Sequence, residues 1–354
     1  MKAGVRGAIG VALSGLLLWW ALKDVPVASV SAHLQQSNLW LLVLSAFLAT
    51  AAFPLRAMRW RPILAPLHAP LPFGTLWRPT AIGLMINNVV PARAGEVARA
   101  YALTREVPQI PFTAAFASVA VDRVIDAIVL LTLMFLAMLD PRFASDSTIG
   151  GTPVHRLAMG GLAVALFGAA VLVALVFLPN VVLRVFEILV GSISKPLERK
   201  TRGWLVAFIS GLAVLRHPTR FLVVLGWAVL FWLVNALAFW VGFVAVGIDV
   251  PYSAALFLQA VIAIGIAVPQ MPGFFGMFEA VGKAGLAVYG VPDEKAVAWA
   301  IGFHFVSFLP ITIIGAIYFA RMGLHLGDVR AAASADNGSA PPPAPQLNVE
   351  QQEG

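Results

Sequence analysis

The chain has 354 residues, of which 60% are hydrophobic and only 12% are charged, and it contains no cysteine. Soluble domains carry about 25% charged residues, so this composition excludes a soluble globular protein and is typical of a multi-pass membrane protein. The lack of cysteine excludes disulfide frameworks, thiolate metal sites and thiol catalysis. The net charge is +7, but the basic residues lie beside apolar segments, which favours contact with lipid headgroups over contact with nucleic acid.

Six apolar runs are predicted to cross the hydrocarbon core as helices. They cover residues 7–22, 39–53, 112–139, 154–178, 221–246 and 296–320. No small-residue cleavage site follows the first run, which is therefore interpreted as a retained signal anchor. Two further apolar regions, 75–90 and 252–290, are interrupted by Pro, Gly and Asn and are predicted to be re-entrant helical hairpins.

The distribution of Lys and Arg supports this arrangement. Six crossings and two hairpins place both termini on one side, and most of the basic residues fall on that same side. The positive-inside rule then predicts a protein of the cytoplasmic membrane with both termini in the cytoplasm. Counting residues 75–90 as a full crossing would export the loop that carries Arg93, Arg99 and Arg105.

The chain is predicted to form one all-α transmembrane domain over residues 1–330. Its repeat halves cover about 38–178 and 219–322, and the basic and apolar mixture at 180–218 indicates an amphipathic segment at the cytoplasmic interface. Residues 331–354 are mostly Ala, Ser, Gly, Pro and polar residues, which predicts a disordered tail.

The two interrupted regions resemble one another, because in each an apolar half-helix leads into a Pro/Gly break, then a Gly, then a Glu that opens another helix. The predicted break residues are Asn87, Asn88, Pro91, Gly95, Pro272, Gly273 and Gly276. Opposed broken helices in the two halves predict a weak inverted repeat, with a binding site where the hairpin tips meet near the membrane midplane. A chance match between apolar strings is the alternative.

Charged side chains within or beside these regions are the predicted substrate-binding residues. They are Arg93, Glu96, Arg99, Asp122, Arg123, Asp126 and Glu279. Charges at membrane depth are costly and normally face a cavity or a partner. The spacing allows ion pairs between Glu96 and Arg99 and between Arg123 and Asp126. Arg93 or Arg99 is expected to clamp a phosphate, and a purely structural ion-pair network is the alternative.

Glu279 is the counterpart of Glu96, and its position fits either proton coupling or a cap on its own half-helix. His304 lies among Phe residues, where a packing role is expected more often than a proton relay. The sequence contains no phosphate-binding loop, metal-binding His-Glu-x-x-His or nucleophile elbow, so no catalytic residue, metal site or cofactor is predicted.

Four motifs carry a family resemblance. They are Leu55-Arg56-Ala57-Met58-Arg59-Trp60, residues 88–99, residues 118–126, and Pro272-Gly273 followed by Gly276 and Glu279. On these motifs the chain resembles the lysylphosphatidylglycerol synthase transmembrane family, also called flippase-like, over about residues 16–322. It departs from the family pattern at Phe274, which replaces a second Gly, and at Phe278, where an Arg often precedes the Glu. The buried Arg that is frequent in the last span is also missing.

The resemblance implies an integral protein of the cytoplasmic membrane. In the best understood relatives this module moves an aminoacylated phospholipid between leaflets, and other relatives are linked to polyprenyl-phosphate sugar pathways or hopanoid export. The soluble aminoacyl-transferase domain of the fused synthases is missing, so the chain is interpreted as a non-enzyme. Membrane lipids and lipid-biosynthesis enzymes are the expected partners, and the sequence leaves the oligomeric state open.

Three functions follow from this reading. The first is a translocase that moves a phospholipid or a polyprenyl- or hopanoid-type lipid between leaflets. The second is a non-transporting scaffold for a lipid-synthesis pathway. The third is an intramembrane transferase in which Asp122 and Asp126 hold Mg²⁺, since hard cations favour carboxylate oxygens.

Overall fold

The computed structural model describes residues 15–16, 18–20, 22, 25–68, 70–90, 94–144, 148–149, 152–195, 201–203, 205–206, 209, 212, 217–266, 272–325 and 327. These residues form helices and one small antiparallel pair of strands, β1 (Thr148–Ile149) and β2 (Thr152–Pro153). The helices before residue 200 are α1 (Val27–Gln36), α2 (Leu39–Leu64), α3 (Phe73–Val89), α4 (Gly95–Glu106), α5 (Phe112–Ala137), α6 (Val154–Phe177) and α7 (Pro179–Ile193). The later helices are α8 (Pro218–Ala245), α9 (Tyr252–Gly265), α10 (Met277–Ala287) and α11 (Asp293–Arg321).

Three of the described helices, α2, α8 and α11, are long and apolar enough to cross a membrane. A fourth candidate is the pair Leu166–Phe177 and Pro179–Ser192, which is bent by 107°. The described part of the chain thus supports three or four crossings, fewer than the six predicted from the sequence. Part of the difference lies in α5, which has 26 residues but carries three charged side chains. The run at 7–22 lies mostly outside the described residues.

Helices α3 and α4 form a tight antiparallel pair, the first hairpin. Gly83 lies against Gly95 and Arg99, because a Cβ built on Gly83 would meet the Gly95 carbonyl oxygen at 2.7 Å. The predicted interruption within 75–90 is wrong in detail, since α3 runs unbroken through Pro79. Pro79 is buried among neighbouring helices, where an interior proline is tolerated. Helix α3 ends at Val89 and α4 begins at Gly95. The predicted break residue Pro91 and the predicted binding residue Arg93 lie outside the described residues.

Helices α9 and α10 form the second hairpin, with a 3₁₀ turn at Pro272–Phe274 between them. Gly265 lies beside Met277 and Val281, and Gly285 lies beside Leu258, so these two helices are also antiparallel. The turn depends on two glycines in the left-handed region, Gly273 with φ of 73° and Gly276 with φ of 85°. L side chains rarely adopt these angles, and glycine at two of the positions reduces the cost of the turn, although Phe274 between them also has a positive φ of 60°.

Helix α11 contacts both hairpins. Ala300 packs on Gly282 of α10, and Gly315 packs on Ala81 and Met85 of α3. The 3₁₀ turn of the second hairpin also contacts α3 of the first. The two hairpins therefore meet, and α11, which contains Pro310, lies along both of them.

The segment after α6 turns sharply, and α7 leaves Val181, Val185, Ile188 and Leu189 exposed. An exposed apolar face suits a helix lying on a lipid surface. The interfacial role of 180–218 stays a prediction, because several of its residues lie outside the described part, as does the tail at 331–354.

A polar contact joins the end of α5 to the start of α9. The Ser253 hydroxyl donates to Asp140 Oδ2 at 2.6 Å, and the Arg142 backbone N–H donates to Asp140 Oδ1 at 2.8 Å. The bond from Ser253, followed by that from Arg142, lowers the pKa of the Asp140 carboxyl. These contacts hold the second hairpin against α5.

Candidate functional site

A buried ionic cluster joins three helices. Helix α2 contributes Arg56 and Arg59, α4 contributes Arg99, and α5 contributes Asp122 and Asp126. Every one of these side chains is at most 7% exposed. Asp122 and Asp126 lie one turn apart on the same face of α5, which allows both to meet the same neighbouring helix.

Arg59 holds the two aspartates together. Its Nε lies 2.6 Å from Asp122 Oδ1, and its Nη1 lies 2.6 Å from Asp126 Oδ1. Arg56 Nη2 lies 3.0 Å from Asp126 Oδ2, and Arg99 Nη1 lies 2.8 Å from Asp122 Oδ2. Each carboxylate is therefore shared between two guanidinium groups, which offsets the cost of burying its charge.

Aromatic side chains fix the orientation of the cluster. The Arg99 guanidinium lies 4.0 Å from the centre of the Trp60 ring, and that of Arg56 lies 5.2 Å from the Phe231 ring. Trp232 Nε1 donates to Asp126 Oδ1 at 2.9 Å. These contacts add cation–π attraction and a hydrogen bond, both of which strengthen when water is excluded.

The cluster has a surplus of positive charge. Three arginines face two aspartates, so the net charge of the five side chains is +1. Within the described part of the chain, Arg56 Nε, Arg59 Nη2, and Nε and Nη2 of Arg99 are buried without a hydrogen-bond partner. A small cavity adjoins Arg56 and Arg99 and is also lined by Asn87 and Glu96. Unsatisfied cationic donors beside a cavity suit an anion with several acceptor oxygens.

The predicted pairs within single helices do not form. Glu96 pairs with Arg123 rather than with Arg99, and Arg99 reaches Asp122 on α5. The spacing would allow Arg123 to reach Asp126, but its guanidinium contacts Glu96 of α4, while Asp126 is held by two arginines of α2. The pairs formed by Glu96 and Arg99 both join α4 to α5, so they hold the first hairpin against its neighbour.

Asparagines of the first hairpin satisfy polar groups near the break. Asn87 Oδ1 accepts from the Gly95 backbone N–H at 2.9 Å, as expected for a helix that starts inside the protein. Asn88 Nδ2 instead donates to Thr312 Oγ1 of α11 at 2.7 Å. Asn88 therefore ties the tip of the hairpin to α11.

The second hairpin carries a different buried pair, Glu279 and His304. Glu279 Oε2 accepts from the Gly276 backbone N–H at 2.6 Å, which is the capping role considered from the sequence. Glu279 Oε1 lies 2.7 Å from His304 Nδ1. His304 is thus a hydrogen-bond partner of Glu279 as well as a packing residue, and the rings of Phe275 and Phe278 lie 4.7 Å and 4.6 Å from it.

A larger cavity of about 200 Å³ lies where the hairpin tips meet. Its walls are mainly aromatic and aliphatic, with a few polar side chains. They include Phe53, Asn88, Trp232, Asn235, Phe239, Gln259, Phe274, Phe278, Phe303, His304, Ser307 and Phe308. Since Trp232 also donates to Asp126, this cavity adjoins the ionic cluster.

Arg56, Arg59 and Trp232 are site residues that the sequence reasoning missed. The motif at residues 55–60 carried part of the family resemblance, but its arginines were not among the predicted binding residues. Their partners lie 67 and 70 residues away, a separation that spacing within one helix does not reveal.

No group of three or more His, Asp or Glu side chains in the described part of the chain is placed to hold a metal ion. The carboxylates of Asp122 and Asp126 are instead engaged by arginines. The Mg²⁺ ion of the transferase alternative would therefore have to compete with three guanidinium groups for the same oxygens.

We expect the Trp232→Phe substitution to lower the free energy of unfolding by about 1.5 kcal/mol, because it removes a hydrogen bond to a charged acceptor. Trp240→Phe is a matched control on the same helix, since Trp240 Nε1 donates to the neutral Val250 carbonyl at 3.0 Å. Equilibrium unfolding in mixed detergent micelles measures both. An equal loss in the two variants would contradict a charged role for the Trp232 contact.

Comparison with known proteins identifies the family. The profile described as "Lysylphosphatidylglycerol synthase TM region" matches residues 7–315. A UPF0104 membrane protein of Pyrococcus horikoshii is 22% identical over 327 residues, which cover 90% of this chain and 96% of that protein. A UPF0104 membrane protein of Methanothermobacter thermautotrophicus is 25% identical over 306 residues, 81% of this chain and 86% of the relative.

A shorter match is to the glycosyltransferase AglD of Haloferax volcanii, 34% identical over 128 residues, which cover 36% of this chain and 20% of that protein. The family profile covers most of the chain, and the two UPF0104 relatives match over nearly their whole length. The protein is therefore a multi-pass membrane protein that belongs to the lysylphosphatidylglycerol synthase TM region family.

Proposed function

We propose that the protein moves a phosphate-bearing lipid, such as a phospholipid or a polyprenyl phosphate, between the leaflets of the cytoplasmic membrane. The observation that carries this proposal is the buried cluster with one more arginine than aspartate and with unsatisfied guanidinium donors beside a cavity. A phosphate oxyanion would balance the surplus charge and accept from those donors. The apolar part of the lipid would lie in the bilayer or in the aromatic cavity.

The proposal includes an inverted repeat whose hairpins enter from opposite sides of the membrane, with both termini in the cytoplasm. Its support is that both hairpins are antiparallel helix pairs whose tips meet, and that each has a Glu in the first turn of its second helix. A shared cavity at opposed hairpin tips is the arrangement that alternating access requires. The excess of Lys and Arg on one side supports the orientation.

Two other functions receive less support. A scaffold for lipid-synthesis enzymes has no need of unsatisfied buried guanidinium donors. An intramembrane transferase needs a reacting group, and the carboxylates of Asp122 and Asp126 are occupied by arginines. The likeness to a glycosyltransferase covers only 20% of that protein, so we propose that this chain is not itself an enzyme.

The sharpest test separates the free donors of Arg99 from its ion pair. Arg99→Lys keeps a positive charge for Asp122 but removes the planar fork and its Nε and Nη2 donors. We expect leaflet exchange of a labelled phospholipid in proteoliposomes to fall about tenfold, because a hydrogen bond to a charged group contributes about 1.5–3 kcal/mol. Quenching of the outer-leaflet label by dithionite measures the rate.

Arg78→Lys is the matched control in the same hairpin. Arg78 forms a fork with Glu106, with both contacts at 2.5 Å, and does not line either cavity described above. Its replacement should leave exchange unchanged. If the unaltered protein exchanged no more lipid than protein-free vesicles with any phosphate-bearing lipid, the scaffold alternative would stand in place of the translocase.

A further inference from the structure

The two hairpins carry corresponding ion pairs of different chemistry. Glu96, in the first turn of α4, pairs with Arg123 of the long helix α5 that follows. Glu279, in the first turn of α10, pairs with His304 of the long helix α11 that follows. A guanidinium keeps its charge at every physiological pH, whereas an imidazole gains or loses a proton between about pH 5 and 8.

The second pair is enclosed but adjoins a cavity. Glu279 is 3% exposed and His304 is 5% exposed. The imidazole packs against the rings of Phe275 and Phe278, while His304 and Phe278 also line the larger cavity. A proton therefore has a route to the imidazole through the space that the lipid is proposed to use.

Other charged groups near this pair have partners of their own. Lys283, one turn further along α10, pairs with Asp293 of α11 at 2.9 Å. On the helices packed against α10 and α11, Arg78 pairs with Glu106, and Arg56 and Arg59 pair with Asp122 and Asp126. The other two arginines on these helices, Arg61 of α2 and Arg220 of α8, have exposed side chains. The ionisable group on α1 is His33, which has no ion pair within 4 Å in the described structure. The ionisable group on α9 is Tyr252, whose hydroxyl donates to the Leu233 backbone carbonyl.

The chemistry of the pair permits it to hold one extra proton. With a neutral imidazole, Nδ1–H donates to the ionised carboxylate of Glu279, and the pair carries one negative charge. A proton added at His304 Nε2 makes an imidazolium beside a carboxylate, so the net charge becomes zero. Glu279 Oε2 accepts from Gly276 in both states, so the helix cap survives the change.

We propose that Glu279 and His304 form the proton-binding site that couples a pH gradient to lipid movement, an inference that rests on the proposed translocase function. One proton binds at the imidazole from one side of the membrane and leaves to the other, without any covalent step. The pair of Glu96 and Arg123 is its permanently charged counterpart in the first hairpin.

The test uses the full-length protein in proteoliposomes that contain a labelled phospholipid tracer, with the membrane potential set to zero by valinomycin and equal potassium on both sides. A difference of one pH unit should drive about tenfold accumulation of the tracer in one leaflet if one proton moves per lipid, since one unit of pH corresponds to a factor of ten in equilibrium. A pH-sensitive dye inside the vesicles should report proton flux at the same time.

Two variants isolate the pair. His304→Arg copies the permanently charged pair of the first hairpin, so we expect the pH-driven accumulation of the tracer and the proton flux to be lost together. Glu279→Gln keeps an oxygen for the Gly276 N–H but removes the carboxylate, and it should give the same loss. Gel filtration detects whether His304→Arg prevents folding. If it does, Glu279→Gln tests the proton coupling in its place.

The outcomes separate this inference from the proposed function. If the unaltered protein exchanged lipid equally at every pH gradient, coupling would be overturned and the translocase would remain. If it moved no lipid, the translocase and the coupling would both fall. Nitrogen NMR of ¹⁵N-labelled His304 in nanodiscs then tests whether this imidazole binds a proton. If the imidazole kept one protonation state from about pH 5 to 8, the proposed proton-binding site would be excluded.

Discussion

Replacing Asp122 with Ala is expected to lower the free energy of unfolding by about 3–5 kcal/mol, because it leaves buried charges without their partner. Asp122 is fully buried and is shared by Arg59 and Arg99. Loss of the carboxylate would raise the surplus charge of the cluster from +1 to +2 in a region from which water is excluded. Equilibrium unfolding in mixed detergent micelles measures the loss.

Glu187→Ala serves as the control for this prediction. Glu187 pairs with Arg202 at 2.7 Å, but both side chains are well exposed, and exposed pairs contribute little. We expect a small change in that variant. Adding Arg99→Met to Asp122→Ala should restore part of the stability, because it removes one uncompensated cation. Equal losses for Asp122→Ala and Glu187→Ala would mean that the cluster is not held as the structure shows.

Replacing Gly95 with Leu is expected to separate the helices of the first hairpin. A Cβ at this position would lie 2.0 Å from the Gly83 carbonyl oxygen and 2.6 Å from Asn87 Oδ1. The first of these atoms is backbone and cannot rotate away, so α3 and α4 must move apart. We expect a loss of about 3 kcal/mol in unfolding free energy, at the upper end of the usual cost of overpacking.

Gly226→Leu provides the matched control, since a Cβ at Gly226 of α8 would have no atom within 4 Å. The same unfolding measurement should show almost no change there. Lipid exchange should fall in Gly95→Leu, because Arg99 lies one turn away on α4 and would shift with the helix. A Gly95 variant as stable as the Gly226 variant would rule out the close contact between α3 and α4.

The sequence predicted the features that depend on local spacing. Prolines and glycines located the second hairpin, and the spacing of Asp122 and Asp126 placed both carboxylates on one face of α5. It failed where partners come from other helices. The rotation of α4 against α5 decides that Arg99 meets Asp122 and that Arg123 meets Glu96, and no spacing within one helix encodes this rotation.

The same limit explains two further differences. His304 was expected mainly to pack, because its partner Glu279 lies 25 residues away on another helix. The region 75–90 was expected to be interrupted, because an interior proline breaks an isolated helix. In the folded protein Pro79 is enclosed by neighbouring helices, and α3 continues through it to Val89.

The position of Pro310 in α11 has a mechanical consequence. The ring of Pro310 removes one backbone hydrogen bond from a helix of 29 residues, at a point between Ala300, which packs on the second hairpin, and Gly315, which packs on the first. Helices bend most readily at such a residue. The two ends of α11 can therefore tilt relative to each other while each stays attached to its own hairpin. A displacement of one hairpin tip would then change the bend angle of α11 and so move the other tip.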